Sequence, residues 1–165
     1  MCIHTYIHNI YKKYDKFINK LRIIKLKILG AKIGNNVMSY GRFTVINPVN
    51  LNIGNNSTIN EGVHINCRDK VIVGNNVRIS SGVQIHTGKL IMNTYNRLHT
   101  KSPIIIKDNV WIASGSVISA GVVIGENSVI GANSVVLKDI EPNSFYAGNP
   151  AKKIKDLKID RSKIK

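Results

Sequence analysis

The chain has 165 residues, enough for one domain, and carries 24 Lys and Arg against 9 Asp and Glu, a formal net charge of +15. That imbalance says nothing about fold but favours anionic partners: nucleic acid, an acidic membrane surface, an anionic glycan or a phosphate-rich cofactor. Two cysteines, Cys2 and Cys67, exclude a disulfide scaffold; the start of the chain has no secretory signal and no stretch approaches the ~20 apolar residues of a membrane span, so the expected location is the cytoplasm, with the inner face of the membrane as the open alternative.

Residues 3–29 read as a helix. Ile3, Ile7, Ile10, Tyr14, Phe17, Leu21, Ile24 and Ile28 recur every three or four residues, which is one helical face. Lys12, Lys13, Lys16, Lys20, Lys25 and Lys27 fill much of the rest, and Gly30 is the stop signal. Two roles stay open: a cap over the end of the domain that follows, or a basic amphipathic helix lying on an anionic membrane surface.

From Ile33 the period changes. IGNNVM starts at Ile33, and after an irregular piece with Pro48 the pattern resumes at Ile53, Ile59 and Ile65, then at Val73, Ile79 and Ile85. A non-repeating excursion covers 91–105. The repeat then runs unbroken through Ile106, Ile112, Ile118, Ile124, Ile130 and Val136, a strict period of six. Neither an α-helix nor an alternating strand has that period; a hexapeptide repeat marks a β-helix. Three hexapeptides make one triangular turn, so 33–50, 53–70, 73–90, 106–123 and 124–141 give about five coils. The aliphatic residue of each unit points inward, and Val110, Ser116, Val122, Ser128 and Ser134 fill the space between coils. The Gly-Asn-Asn corners suit turns, because both residue types tolerate left-handed backbone.

Pro142 ends the regular pattern, and Gly148 with Pro150 marks a bend. A short basic helix over 151–165 is expected to cap the second end. The division is a helical cap at 1–30, a solenoid domain at 31–155 and a basic tail at 156–165.

Three segments carry a family resemblance: Asp108-Asn109-Val110-Trp111-Ile112, then 121–136 followed by Lys138-Asp139-Ile140-Glu141-Pro142-Asn143, then Ala147-Gly148-Asn149-Pro150-Ala151-Lys152. They cover 106–155 almost without gaps and resemble the hexapeptide-repeat, left-handed β-helix acyltransferases that use acetyl-coenzyme A, the bacterial sugar O-acetyltransferases in particular. The resemblance implies an all-β solenoid, a homotrimer with active sites in the clefts between neighbouring prisms, and a sugar or surface-polysaccharide acceptor. Carried over by motif, Ser114 sits beside the thioester, Ala132 lines the pantetheine arm, and Lys138, Lys152 and Lys155 approach the nucleotide phosphates. Asn60 and Arg68, on the preceding coil, are candidate acceptor contacts.

Acetyl transfer to a hydroxyl needs a base, and histidine titrates in the right range. The family's histidine falls here on Leu90, which cannot serve. His86, four residues earlier on the coil, and His99, in the excursion, are the two candidates; His64 is read as structural. The leading function is O-acetylation of a sugar from acetyl-CoA. The competing readings are N-acetylation of a nucleotide-linked amino sugar, a zinc site built from His64, His86 and His99, and a non-catalytic module. No metal is expected, and no nucleic-acid motif accompanies the charge.

Overall fold

The computed structural model describes residues 3–93 and 95–160, with side chains described from residue 13 onward. It is a left-handed parallel β-helix whose three faces are three parallel sheets. The first face stacks Lys32–Ile33, Leu51–Ile53, Val71–Val73, Ile104–Ile106 and Val123–Ile124. The second stacks Met38–Tyr40, Thr58–Asn60, Arg78–Ile79, Trp111–Ile112, Val129–Ile130 and Ser144–Ala147. The third stacks Thr44–Ile46, His64–Asn66, Gln84–His86, Val117–Ile118 and Val135–Val136. Five coils are complete, and a sixth is begun by Ile140, bridged to Ile124, and by Ser144–Ala147.

Burial follows the hexapeptide rule. Ile59, Ile79, Ile112 and Ile130 are register partners on the second face and have essentially no solvent exposure. Each therefore packs on the same residue of the next coil, which is how a solenoid builds a continuous apolar column. Val110, Ser116, Val122, Ser128 and Ser134 are buried as expected. The serines do more than fill space: Ser116 Oγ donates to the carbonyl of Gly131 at 2.8 Å and Ser128 Oγ to that of Glu141 at 2.7 Å, satisfying corner carbonyls between coils. Asn36, Asn56, Asn76, Asn109, Asn127 and Asn133 all take left-handed backbone at the corners. The side chains of Asn76, Asn109, Asn127 and Asn143 hydrogen-bond from coil to coil at 2.9–3.1 Å.

Coil length is not uniform. Ile33, Ile53 and Val73 pair in register at steps of 20 residues, whereas Ile106 and Ile124 are 18 apart. The two extra residues sit at the corner between the third and first faces. Ile65 and Ile72 are separated by seven residues there, Ile118 and Val123 by five. The third coil widens most at this corner. It leaves the prism at Gly88, three residues before the expected start of the excursion, because Gly88–Leu90 pairs antiparallel with His99–Lys101 as a projecting hairpin. Lys89 and Leu90 therefore lie outside the ring, although they complete a hexapeptide in sequence.

The N-terminal helix, Ile3–Ile28, caps the first coil. The face that docks is not the apolar stripe read from the sequence. Asn19, Ile23 and Leu26 are buried, and Asn19 ties the helix to the solenoid: its carbonyl accepts from Ser39 Oγ at 3.0 Å and its Oδ1 from the Gly41 N–H at 3.2 Å. Tyr14, Phe17, Leu21, Ile24 and Ile28 face solvent. The side chains of Ile3, Ile7, Ile10 and Lys12 lie outside the described residues.

The expected C-terminal helix is absent from the described residues. Lys152–Asp156 is a strand that turns back and pairs antiparallel with Ser144–Ala147. The last strand of the second face would otherwise present unpaired N–H and C=O groups, and the returning strand satisfies them. Lys153 then bridges Glu141 at 2.6 Å and Asp156 at 2.7 Å. Residues 161–165 of the basic tail lie outside the described residues.

Candidate active site

The widened corner between the third and first faces opens a groove of about 240 Å³, lined by Asn66, Arg68, His86, Gly88, Lys89, Leu90 and His99. Three local features build it. Asn66 and His86 are register partners on successive coils, so their side chains stand side by side. Thr87, fully buried behind them, donates its hydroxyl to the Asn66 carbonyl at 2.9 Å and accepts from the Asp69 N–H at 2.9 Å, fixing the corner. Gly88 brings the Arg68 side chain close across the strand: a Cβ there would stand 2.9 Å from Arg68 Cδ, and the guanidinium arm would have to shift.

The two candidate histidines share the groove but differ in what their ring nitrogens can do. Arg68 Nη1 lies 3.4 Å from His99 Nδ1. A guanidinium only donates, so this contact places the lone pair of His99 on Nδ1 against Arg68 and its N–H on Nε2. His86 Nε2 lies 3.1 Å from Gln84 Oε1, an acceptor. His86 therefore donates through Nε2, and its Nδ1 lone pair has no hydrogen-bond partner among the described residues. Burial, and secondarily the charge of His64 with its ring centroid 5.5 Å away, pushes the His86 pKa below its ordinary 6.5. His86 is thus held as the neutral, proton-accepting form near pH 7.

Arg68, His86 and His99, singled out in the sequence, line this groove together, and Asn66 lines it without having been singled out. Among the described residues its Oδ1 is buried with no hydrogen-bond partner, and the residue lines the groove. The signal was present: Asn66 lies one 20-residue coil before His86. Asn60 does not join this groove. It sits on the second face with its amide donated to the Ile79 carbonyl at 2.9 Å. Cys67, between two groove residues, is fully buried, and burial pushes its thiol up to about 12, so it supplies no thiolate nucleophile at neutral pH. Among the described residues no three His, Cys, Asp or Glu side chains converge as a metal site.

The residues assigned to the donor lie elsewhere on the solenoid. Ser114 and Ala132 occupy one corner column, exposed, with the Asn133 N–H donating to the Ser114 carbonyl at 2.9 Å. Lys138, Lys152 and Lys155 are exposed and make no ion pair among the described residues. Ser114 precedes Ile118 by four residues, His86 follows Ile85 directly, and Ile85 and Ile118 are register partners. Ser114 and His86 therefore stand at opposite edges of the third face, roughly 15 Å apart at strand spacing.

Comparison with known proteins shows the family of the chain. Residues 103–138 match the bacterial transferase hexapeptide family (six repeats). The chain is 37% identical over 143 residues to Protein CapG of Staphylococcus aureus, covering 85% of this chain and 74% of that protein. A hexapeptide-repeat acetyltransferase of Vibrio cholerae O1 biovar eltor, solved with acetyl coenzyme A, superposes with a TM-score of 0.80 at 30% identity, over 85% of this chain and 78% of that one. A maltose O-acetyltransferase of Clostridium difficile 630 superposes with a TM-score of 0.77 at 32% identity, over 90% and 84%. The chain belongs to the hexapeptide-repeat, left-handed β-helix acetyltransferases that use acetyl-coenzyme A.

Proposed function

We propose that the chain transfers acetyl from acetyl-CoA to a sugar hydroxyl, within surface-polysaccharide synthesis, with His86 as general base. The observation that carries this reading is the bare Nδ1 of His86 in a groove with the unpartnered Oδ1 of Asn66. Asn66 accepts a hydrogen bond from one acceptor hydroxyl and holds the sugar. His86 Nδ1 takes the proton of a second hydroxyl as its oxygen attacks the thioester carbonyl. The tetrahedral intermediate collapses, the C–S bond breaks, and the imidazolium returns the proton to the departing thiolate. The Ser114 hydroxyl stands beside the thioester to donate to the oxyanion. Arg68 and Lys89 line the groove and, among the described residues, no carboxylate does, which suits a negatively charged acceptor.

One chain holds the acceptor half and the donor half at separate edges of a face. A homotrimer, in which the Ser114–Ala132 corner of one copy meets the His86 groove of the next, completes three sites. Light scattering on the purified protein is expected to give three times the 18.3 kDa monomer mass; a monomer that still transfers acetyl contradicts the shared site.

The reaction is tested with isotopically labelled acetyl-CoA and saccharide acceptors. The product is expected to be an alkali-labile O-acetyl ester. An alkali-stable amide on an amino sugar overturns the hydroxyl assignment in favour of N-acetylation, and no transfer at all removes the enzymatic reading.

Two further outcomes follow. His64 contributes to lowering the His86 pKa, so His64→Asn is expected to move the acid limb of the kcat/KM–pH profile to higher pH. The sign is fixed: removing a nearby positive charge eases protonation of His86, and the base is lost at a higher pH. An unmoved limb contradicts the coupling. Lys138→Gln, Lys152→Gln and Lys155→Gln are each expected to raise KM for acetyl-CoA about fivefold, the value of one exposed charge pair. Acetyl-pantetheine, which lacks the nucleotide phosphates, should be insensitive to all three. Equal loss with both donors would place the lysines outside the phosphate site.

A further inference from the structure

The N-terminal helix leaves its most apolar face uncovered. Tyr14, Phe17, Leu21, Ile24 and Ile28 are 62, 59, 43, 40 and 79% exposed, while Asn19, Ile23 and Leu26, which dock on the first coil, are 6–7% exposed. At about 100° per residue the two sets fall on opposite sides of the helix. In sequence, Ile3, Ile7 and Ile10 continue the exposed stripe toward the N-terminus. The capping function therefore does not explain it: the cap uses the other side.

The charges around the stripe decide what covers it. Lys13, Lys20 and Lys27 recur every seven residues along one flank, with Lys16 beside them, and Lys25 stands on the other flank; all five are exposed. The helix has a single acidic residue, Asp15, and its carboxylate accepts from Asn19 Nδ2 at 2.9 Å on the docked side. A second copy of the helix is a poor partner. Paired in parallel, Lys20 of one copy would oppose Lys25 of the other; paired antiparallel, the lysine rows would face each other, with no acid to relieve them. A stripe of aliphatic and aromatic residues flanked by lysines matches the boundary of an anionic bilayer, where apolar groups enter the acyl region and the ammonium groups reach the lipid phosphates. No described helix is long and apolar enough to cross a membrane, so at a bilayer this one would lie in the interface plane.

We infer that the outer face of the N-terminal helix is a docking surface for anionic phospholipid, holding the solenoid at a membrane by its first coil. The inference stands apart from the acceptor chemistry, since the stripe lies outside the groove and its variants are expected to keep acetyl transfer to a soluble saccharide.

Vesicle flotation tests it on the full-length protein. Wild-type protein is expected to float with vesicles containing phosphatidylglycerol, not with pure phosphatidylcholine, and to be released by high salt. Replacing Lys13, Lys20 and Lys27 together by Gln is expected to weaken binding about 100-fold, and Phe17→Ser with Ile24→Ser by at least about tenfold. Unchanged thermal unfolding and unchanged transfer to soluble acceptor keep these readings specific. Wild-type protein that stays unbound with phosphatidylglycerol vesicles overturns the proposal, as does binding that the lysine variant retains. A helix-dependent oligomer, dissociated by Phe17→Ser in the absence of lipid binding, would assign the face to a second copy instead.

Discussion

His86→Ala is expected to lower kcat for acetyl transfer about 10³-fold, within the range that a positioned base contributes. The reason is geometric. His86 donates through Nε2 to Gln84, and its Nδ1 has no hydrogen-bond partner among the described residues. His99 makes the opposite choice: its Nδ1 faces the Arg68 guanidinium, and the nitrogen left over carries the proton. His99→Ala should therefore cost no more than about tenfold, through a lost hydrogen bond to substrate and a freed Arg68. The measurement is steady-state kinetics with a saccharide acceptor for both variants. A large loss at His99 with little at His86 would exchange the two roles. His86→Asn, which keeps the polar contact and removes the base, should be as inactive as His86→Ala.

Ile112→Ala is expected to destabilise the protein by about 3 kcal/mol in urea unfolding, the cost of lost burial plus the cavity left behind. Ile112 has no solvent exposure and lies between its register partners Ile79 and Ile130. In a solenoid each coil contacts only its neighbours, so the vacancy falls at the interfaces on both sides of the fourth coil and no distant packing compensates. Met92→Ala, at the exposed tip of the hairpin, should change stability by less than about 0.5 kcal/mol. An Ile112→Ala midpoint equal to wild type would mean that the column is not the source of stability.

What the sequence revealed tracks how local the determining physics is. The run from Ile106 to Val136 declared its coils because one inward aliphatic residue every six positions is a constraint that each unit meets alone. The hairpin was not legible, since Gly88–Leu90 completes a hexapeptide in pattern and leaves the ring only because His99–Lys101, eleven residues on, offers a better partner. The helix shows a different gap. Its periodicity identified the apolar stripe correctly, but periodicity does not say which side the rest of the fold will occupy, and Asn19 won that side through hydrogen bonds to Ser39 and Gly41. The C-terminal strand escaped notice for the same reason as the hairpin, its cause being an open sheet edge that only the folded solenoid creates. In the groove, His86, His99 and Arg68 were recognisable as residue types, whereas Asn66 emerged only through the 20-residue coil register that sets it beside His86.

The central claim is that His86 is the base of an acetyl transfer to a sugar hydroxyl. A structure with coenzyme A and an acceptor saccharide bound tests it most directly. The account predicts His86 Nδ1 within about 3 Å of the acceptor hydroxyl, the Asn66 Oδ1 engaged by the sugar, and the coenzyme A sulfur beside Ser114 of the neighbouring copy. An acceptor hydroxyl held instead against His99, or a coenzyme lying away from the groove, would contradict it.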